Sequence, residues 1–368
     1  MSLLTASFNQ DHTHLAVGTA LGWKIFSCDP FACRTSSSQS GVSCIQMLFS
    51  SALVALVGAG ERPGDSQRKL RLWNTYTETA VGPELSFPTT VLSVQMNRQR
   101  LVVVLESALH IFDLMSMQHL HTLPTSRNPR GLAALCTDEE VYHCATLTAD
   151  GKDGHVIMYD VRTMHTLNTV AAHRSTLHCL SLSSRGDMLA TASEKGTVVR
   201  VHSFPQGSLL YTFRRGNLRS TIHSVSFSPT SPKAVEDNQR IGGVARGCAL
   251  LCAASSTTVH VWQLDAQRGA PDIRESFSSP QNAAPWAGWL PAPAERDFAF
   301  VRLKVAPGTR CFAAICASNS QVDTERKGHY SLFIVSDRGS WLSYKLDPLR
   351  GGECKLLDER RLLSPGER

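Results

Sequence analysis

Short runs of alternating apolar and polar residues recur along the chain, each with a large ring near its end. They read WKIFS, LRLWN, LHIFD, VIMYD, VRVHS, VHVWQ and LSYKL. The rings fall at Phe26, Trp73, Phe112, Tyr159, His202, Trp262 and Tyr344. The first five are separated by 39 to 47 residues, and the last two intervals lengthen to 60 and 82. A strand alternates its side chains between two faces, so a period-two pattern predicts strands rather than helices. A spacing of about 40–45 residues is that of a four-stranded propeller blade.

The same grammar surrounds each ring. A short apolar strand precedes it, such as HLAVGTA, RLVVVLE or LLCAASS, and several units place an alternating strand such as LHCLSLS or IHSVSFS before that. A polar turn and a fourth strand follow, as in QHLHTL and SLLYTF. Four strands parted by turn residues make one antiparallel sheet. Seven copies predict an all-β, seven-bladed β-propeller of WD-repeat type, one domain over residues 1–368. The blades are expected at 3–40, 42–88, 90–126, 128–173, 175–216, 217–304 and 309–363. Two segments break the rhythm, both in blade six. Residues 228–247 form a polar insertion between its first two strands. Residues 265–297 form a long loop between its third and fourth strands, and loops of that length usually carry function or lack order.

Composition fits a folded core, with 42% hydrophobic and 18% charged residues. No signal-peptide pattern opens the chain, and runs such as LVVVL are too short to span a bilayer. These features predict a cytoplasmic protein whose membrane contact is peripheral. Eleven cysteines lie mainly in apolar runs, with no C-x-x-C pair, and read as reduced core thiols. No phosphate-cradling, nucleophile-elbow or zinc-protease motif appears, and no acid–base pair is visible, so the chain is not read as an enzyme. His12/His14 and His119/His121 are each two apart and would share a strand face, but neither pair has a third ligand nearby. No metal site and no cofactor are expected.

The net charge of +6 is modest. It is concentrated. Between residues 173 and 223, Arg174, Arg185, Lys195, Arg200, Arg214, Arg215 and Arg219 face only Asp187 and Glu194. Four histidines and a dense set of hydroxyls share the segment, an inventory suited to phosphate. The stretch has few aromatics, which argues against nucleic acid as the partner. At its end stands FRRG, residues 213–216. By strand alternation Arg214 and Arg215 point to opposite faces of the blade, one toward each neighbour. The dipeptide therefore predicts two separate anion pockets, with Gly216 allowing the chain to turn.

These residues resemble the PROPPINs, β-propellers that bind polyphosphoinositides and include the WIPI group of autophagy proteins. The matching segments run in order along the chain: FNQDHTHLAVGT, MNRQRLVVVLESALHIFD, NPRGLAAL, LATASEKGTVVRV, FRRG, TVHVW, FAFVRL and LDPLRGGECKLLDERRL. The resemblance implies a monomeric effector of phosphatidylinositol 3-phosphate and phosphatidylinositol 3,5-bisphosphate that scaffolds autophagosome formation. It implies a first headgroup site of His173, Thr191, Ser193, Thr197, Arg200 and Arg214. A second would use Arg215, His223, Ser255, Ser256, Thr258 and His260. It implies membrane entry by the long blade-six loop, here carrying Phe277, Trp286, Trp289 and Leu290. Autophagy lipid-transfer or conjugation proteins are the implied partners, at phagophore, endosomal or vacuolar membranes. Arg98 and Arg100, at a turn between blade-three strands, are candidates for a partner surface. The competing reading is a WD-repeat scaffold that binds only protein, which leaves the FRRG cluster without a purpose.

Overall fold

The computed structural model describes residues 3–62, 65–229, 249–264, 295–306, 308–317, 330–347 and 349–363. Within them the chain forms seven antiparallel sheets and no helix. The sheets span residues 5–37, 42–86, 93–124, 133–171, 177–214, 222–302 and 311–361, and six have four strands in sequence order. This is the seven-bladed propeller that the repeat predicts. All seven ring positions lie on the third strand of their blade.

Both faces of the second strand of each blade are covered, which is why its apolar run is continuous rather than strictly alternating. In the blade-three strand Arg100–Val104, Leu101 and Val103 pack toward blade two while Val102 and Val104 pack toward blade four. Seven hydrophobic clusters result, one between each pair of neighbouring blades. The cluster between blades seven and one closes the ring. It joins Leu3, Leu15 and Phe26 to Phe333, Trp341 and Leu362. Phe31 stacks on Trp341 at 4.2 Å, and the Leu3 amide donates to the Asp337 carbonyl at 2.7 Å.

In five blades the fourth strand carries an extra residue at the ring. The register shifts at Phe26, Phe112, Tyr159, His202 and Tyr344. A bulge of this kind bends and twists the strand that contains it. It also corrects one expectation. His119 and His121 do not share a face, because the bulge falls between them: His119 packs on Phe112, His121 on Tyr159. His12 sits half-buried in the first turn of blade one, its Nδ1 2.9 Å from the Ile315 carbonyl. Among the described residues no group of three metal-ligating side chains occurs.

Two outer edges are covered by segments from elsewhere in the chain. Gly352–Glu353 adds a fifth, parallel strand to blade six. Glu295 forms a parallel bridge to Phe213 on the edge of blade five. The described cysteines are free thiols, eight of them buried. Burial pushes Cys144 and Cys179 up to about 12, so neither is a thiolate at neutral pH. No helix among the described residues is long and apolar enough to cross a membrane.

Candidate functional site

The outer strand of blade five, Leu209–Arg214, is anchored by its aromatics. Phe213 is 1% exposed and stacks on Tyr211 at 5.2 Å and on Trp262 of blade six at 5.1 Å. With Phe213 fixed toward blade six, alternation turns Arg214 the other way and Arg215 back toward blade six.

On the side facing blade four, rows of side chains lie across the sheet. Thr191 pairs with Arg200 and Arg200 with Thr212, while Val198 pairs with Arg214 in the next row. Arg200 donates to the Ala172 carbonyl at 2.5 Å, and its Nε is buried with no hydrogen-bond partner. A buried guanidinium N–H without an acceptor is costly and marks a place that an anion would complete. His173 is buried and shares a 3.1 Å hydrogen bond with Thr191 Oγ1. Burial, reinforced by Arg200, pushes His173 down to about 4, so the ring is neutral at pH 7. A cleft of about 890 Å³ opens between blades four and five, lined by His173, Arg174, Arg200, His202 and Asp153 among others. Arg214 lies exposed, its Nη1 donating to Asn217 at 2.6 Å. Ser193 is buried at the end of its strand and Thr197 half-buried in the following turn, where its carbonyl accepts the Arg215 amide at 2.9 Å.

The side facing blade six holds Arg215, half-buried, whose Nε donates to the Gly196 carbonyl at 2.7 Å and whose Nη2 donates to the Leu218 carbonyl. His260 stacks at 5.9 Å on Trp262, the ring on which Phe213 also stacks, so it lies on the blade-six face turned toward the end of the blade-five strand; burial chiefly lowers its proton affinity, against the raising effect of Asp297. His260 bonds Thr258 Oγ1 at 3.0 Å through Nε2 and Asp297 at 2.9 Å through Nδ1. Ser255 is fully buried and its hydroxyl closes the turn onto Thr258. His223 reaches the same turn from the first strand of the blade. It sits at a bulge in that strand and bonds Ser256 at 2.9 Å, and burial chiefly, with Arg310 adding to it, lowers its proton affinity. Ser255, Thr258 and His260 thus gather about one turn of blade six, and His223 is joined to that turn through Ser256.

Three participants escape sequence reasoning. Asp297 and Glu295 arrive from the far side of a long connection, and no local pattern marks them. Gly196 could have been found, as the glycine of SEKGT. Its φ is +59°, and a Cβ there would fall 1.8 Å from the Ser220 carbonyl oxygen. Gly216 carries no such demand, since a Cβ would meet nothing within 4 Å. Phe277, Trp286, Trp289 and Leu290 lie outside the described residues. Arg98 is exposed beside Glu139 at 3.1 Å, whereas Arg100 is tied to Asp113 at 3.1 Å and to the Val161 carbonyl of blade four. In an antiparallel blade the turn after the first strand and the turn after the second emerge at opposite ends. Arg98 is therefore at one end of the propeller and FRRG at the other.

Seven radial sheets packed face to face define the class: a seven-bladed β-propeller. The particular family follows from comparison. The PROPPIN family model matches residues 2–363, and the chain belongs to that family, the phosphoinositide-binding β-propellers of autophagy. It is 33% identical to Autophagy-related protein 18 of Yarrowia lipolytica, over 98% of this chain and 97% of the relative. It is also 33% identical to Autophagy-related protein 18 of Dictyostelium discoideum, over 98% and 94%. Among solved structures it is similar to Kluyveromyces lactis Hsv2, with a TM-score of 0.71 at 19% identity, covering 98% of this chain and 99% of that one. KlAtg21 in complex with the coiled-coil of AgAtg16 gives a TM-score of 0.70 at 23% identity, covering 99% and 100%. Members of the family are lipid-binding scaffolds that associate peripherally with membranes.

Proposed function

We propose that the chain binds phosphatidylinositol 3-phosphate and phosphatidylinositol 3,5-bisphosphate through two pockets back to back on blade five. Arg214 serves the pocket toward blade four with Arg200, Thr191 and His173. Arg215 serves the pocket toward blade six with Thr258 and His260. The carrying observation is the core placement of Phe213, which obliges the adjacent arginines to diverge. Each pocket offers a guanidinium, a hydroxyl and an imidazole, a donor set that suits a phosphate monoester. Two weak sites on one rigid rim hold a membrane far longer than one. The membrane-bound propeller then acts as a platform for the lipid-transfer and conjugation machinery of the forming autophagosome. One solved structure similar to this chain holds a coiled-coil partner. The exposed Arg98 turn, at the opposite end of the blades from the pockets, is the surface we assign to such a partner.

Flotation with phosphatidylcholine vesicles carrying either lipid tests the reading. Replacing Arg214 or Arg215 alone with glutamine weakens binding, and replacing both abolishes it. A double variant that floats like the native protein rules the reading out.

A further inference from the structure

The pocket toward blade six contains a negative charge. Asp297 lies on the short segment that crosses from blade five to blade six. The segment is pinned at both ends by backbone hydrogen bonds. Glu295 exchanges two with the Thr212 carbonyl and the Arg214 amide, each 2.9 Å, and the Phe298 amide donates to Val261 at 2.8 Å. Between these anchors the Asp297 carboxylate accepts from His260 Nδ1 at 2.9 Å. Both side chains are largely shielded, 26% and 13% exposed, so water screens the pair only partly. On the other side of the blade neither arginine is bonded to a carboxylate: Arg214 donates to the Asn217 amide oxygen and Arg200 to a backbone carbonyl, while Asp153, which also lines that cleft, is exposed and accepts from Thr176 at 3.2 Å.

We infer that Asp297 is a built-in counter-ion of the second pocket, occupying with its carboxylate the imidazole donor that a phosphate would otherwise take. The inference rests on the lipid reading above and refines it. A phosphate entering beside Arg215 meets the repulsion of a fixed carboxylate and competes with it for His260. The same phosphate entering beside Arg200 meets an unsatisfied N–H. The two pockets are therefore unequal: the first binds, and the second engages only when the headgroup outcompetes Asp297. That order suits a protein which must sample membranes before committing to one. A second phosphate on the inositol ring adds charge with which to displace the carboxylate.

The substitution that isolates charge from shape is Asp297→Asn, whose amide oxygen still accepts from His260 Nδ1. The probe is phosphatidylcholine vesicles containing phosphatidylinositol 3-phosphate, at neutral pH and low salt. In an Arg214→Gln background only the second pocket remains, and Asp297→Asn is expected to tighten binding about three- to ten-fold there. In an Arg215→Gln background only the first pocket remains, and the same substitution leaves affinity unchanged. That arm also shows that the variant is folded. An equal gain in both backgrounds means a general surface-charge effect and overturns the inference. No gain, or a loss, in the Arg214→Gln background overturns it too, and a loss means that Asp297 serves to position His260. If the Arg214→Gln/Arg215→Gln protein binds like the native one, the lipid reading fails first and takes the inference with it.

Discussion

Phe213 is the pivot of the site. It contributes nothing to a ligand directly, but its ring, wedged between Tyr211 and Trp262, fixes which way each following arginine faces. Truncation to alanine removes a fully buried aromatic, a change that costs about 3–5 kcal/mol. The expected outcome for Phe213→Ala is a lower melting temperature together with weaker vesicle binding at both pockets. Gly196 has a narrower role. Its left-handed backbone and its approach to the Ser220 carbonyl leave no room for a side chain, and its own carbonyl receives Arg215. Gly196→Ala is expected to weaken vesicle binding in the Arg214→Gln background while sparing the Arg215→Gln one. Gly216→Ala should leave both unchanged, because space is open around it.

Backbone pairing at the edges of blades five and six ties the site to distant parts of the chain. The amides of Arg214, Glu295, Gly352 and Cys354 all donate to backbone carbonyls across these edges. Hydrogen exchange is expected to find them protected. Alternating strands made the blades legible, and one step of alternation sufficed to send Arg214 and Arg215 apart. Strand order followed from the repeats because neighbours in sequence pair in space. What stayed hidden depends on where a long connection re-enters. Asp297 is 37 residues from His260, and nothing near either residue encodes their meeting. The bulge that separates His119 from His121 is hidden for another reason: one extra residue inverts every facing rule downstream of it.

At the scale of the whole ring, stability is expected to depend on acid. His173 and His202 are buried, and each is pushed down to about 4 from an ordinary 6.5, chiefly by burial with Arg200 adding to it. A depressed folded-state value means that the unfolded chain takes up these protons first. Stability is intact above about 6.5 and falls as the pH drops toward 4, by on the order of 1 kcal/mol per unit for each histidine. Urea midpoints at pH 7 and pH 4.5 check this, and His202→Phe should flatten part of the dependence. The seam between blades seven and one sets a different limit. It has no shared strand: blade one is built wholly from residues 5–37 and blade seven wholly from 311–361. Leu3 must wait for Asp337 and Leu362, so a ribosome has to make the chain through residue 362 before the circle can shut. Until then the nascent chain is an open fan whose first blade exposes Leu15 and Phe26. That interval is when a chaperone would be needed most.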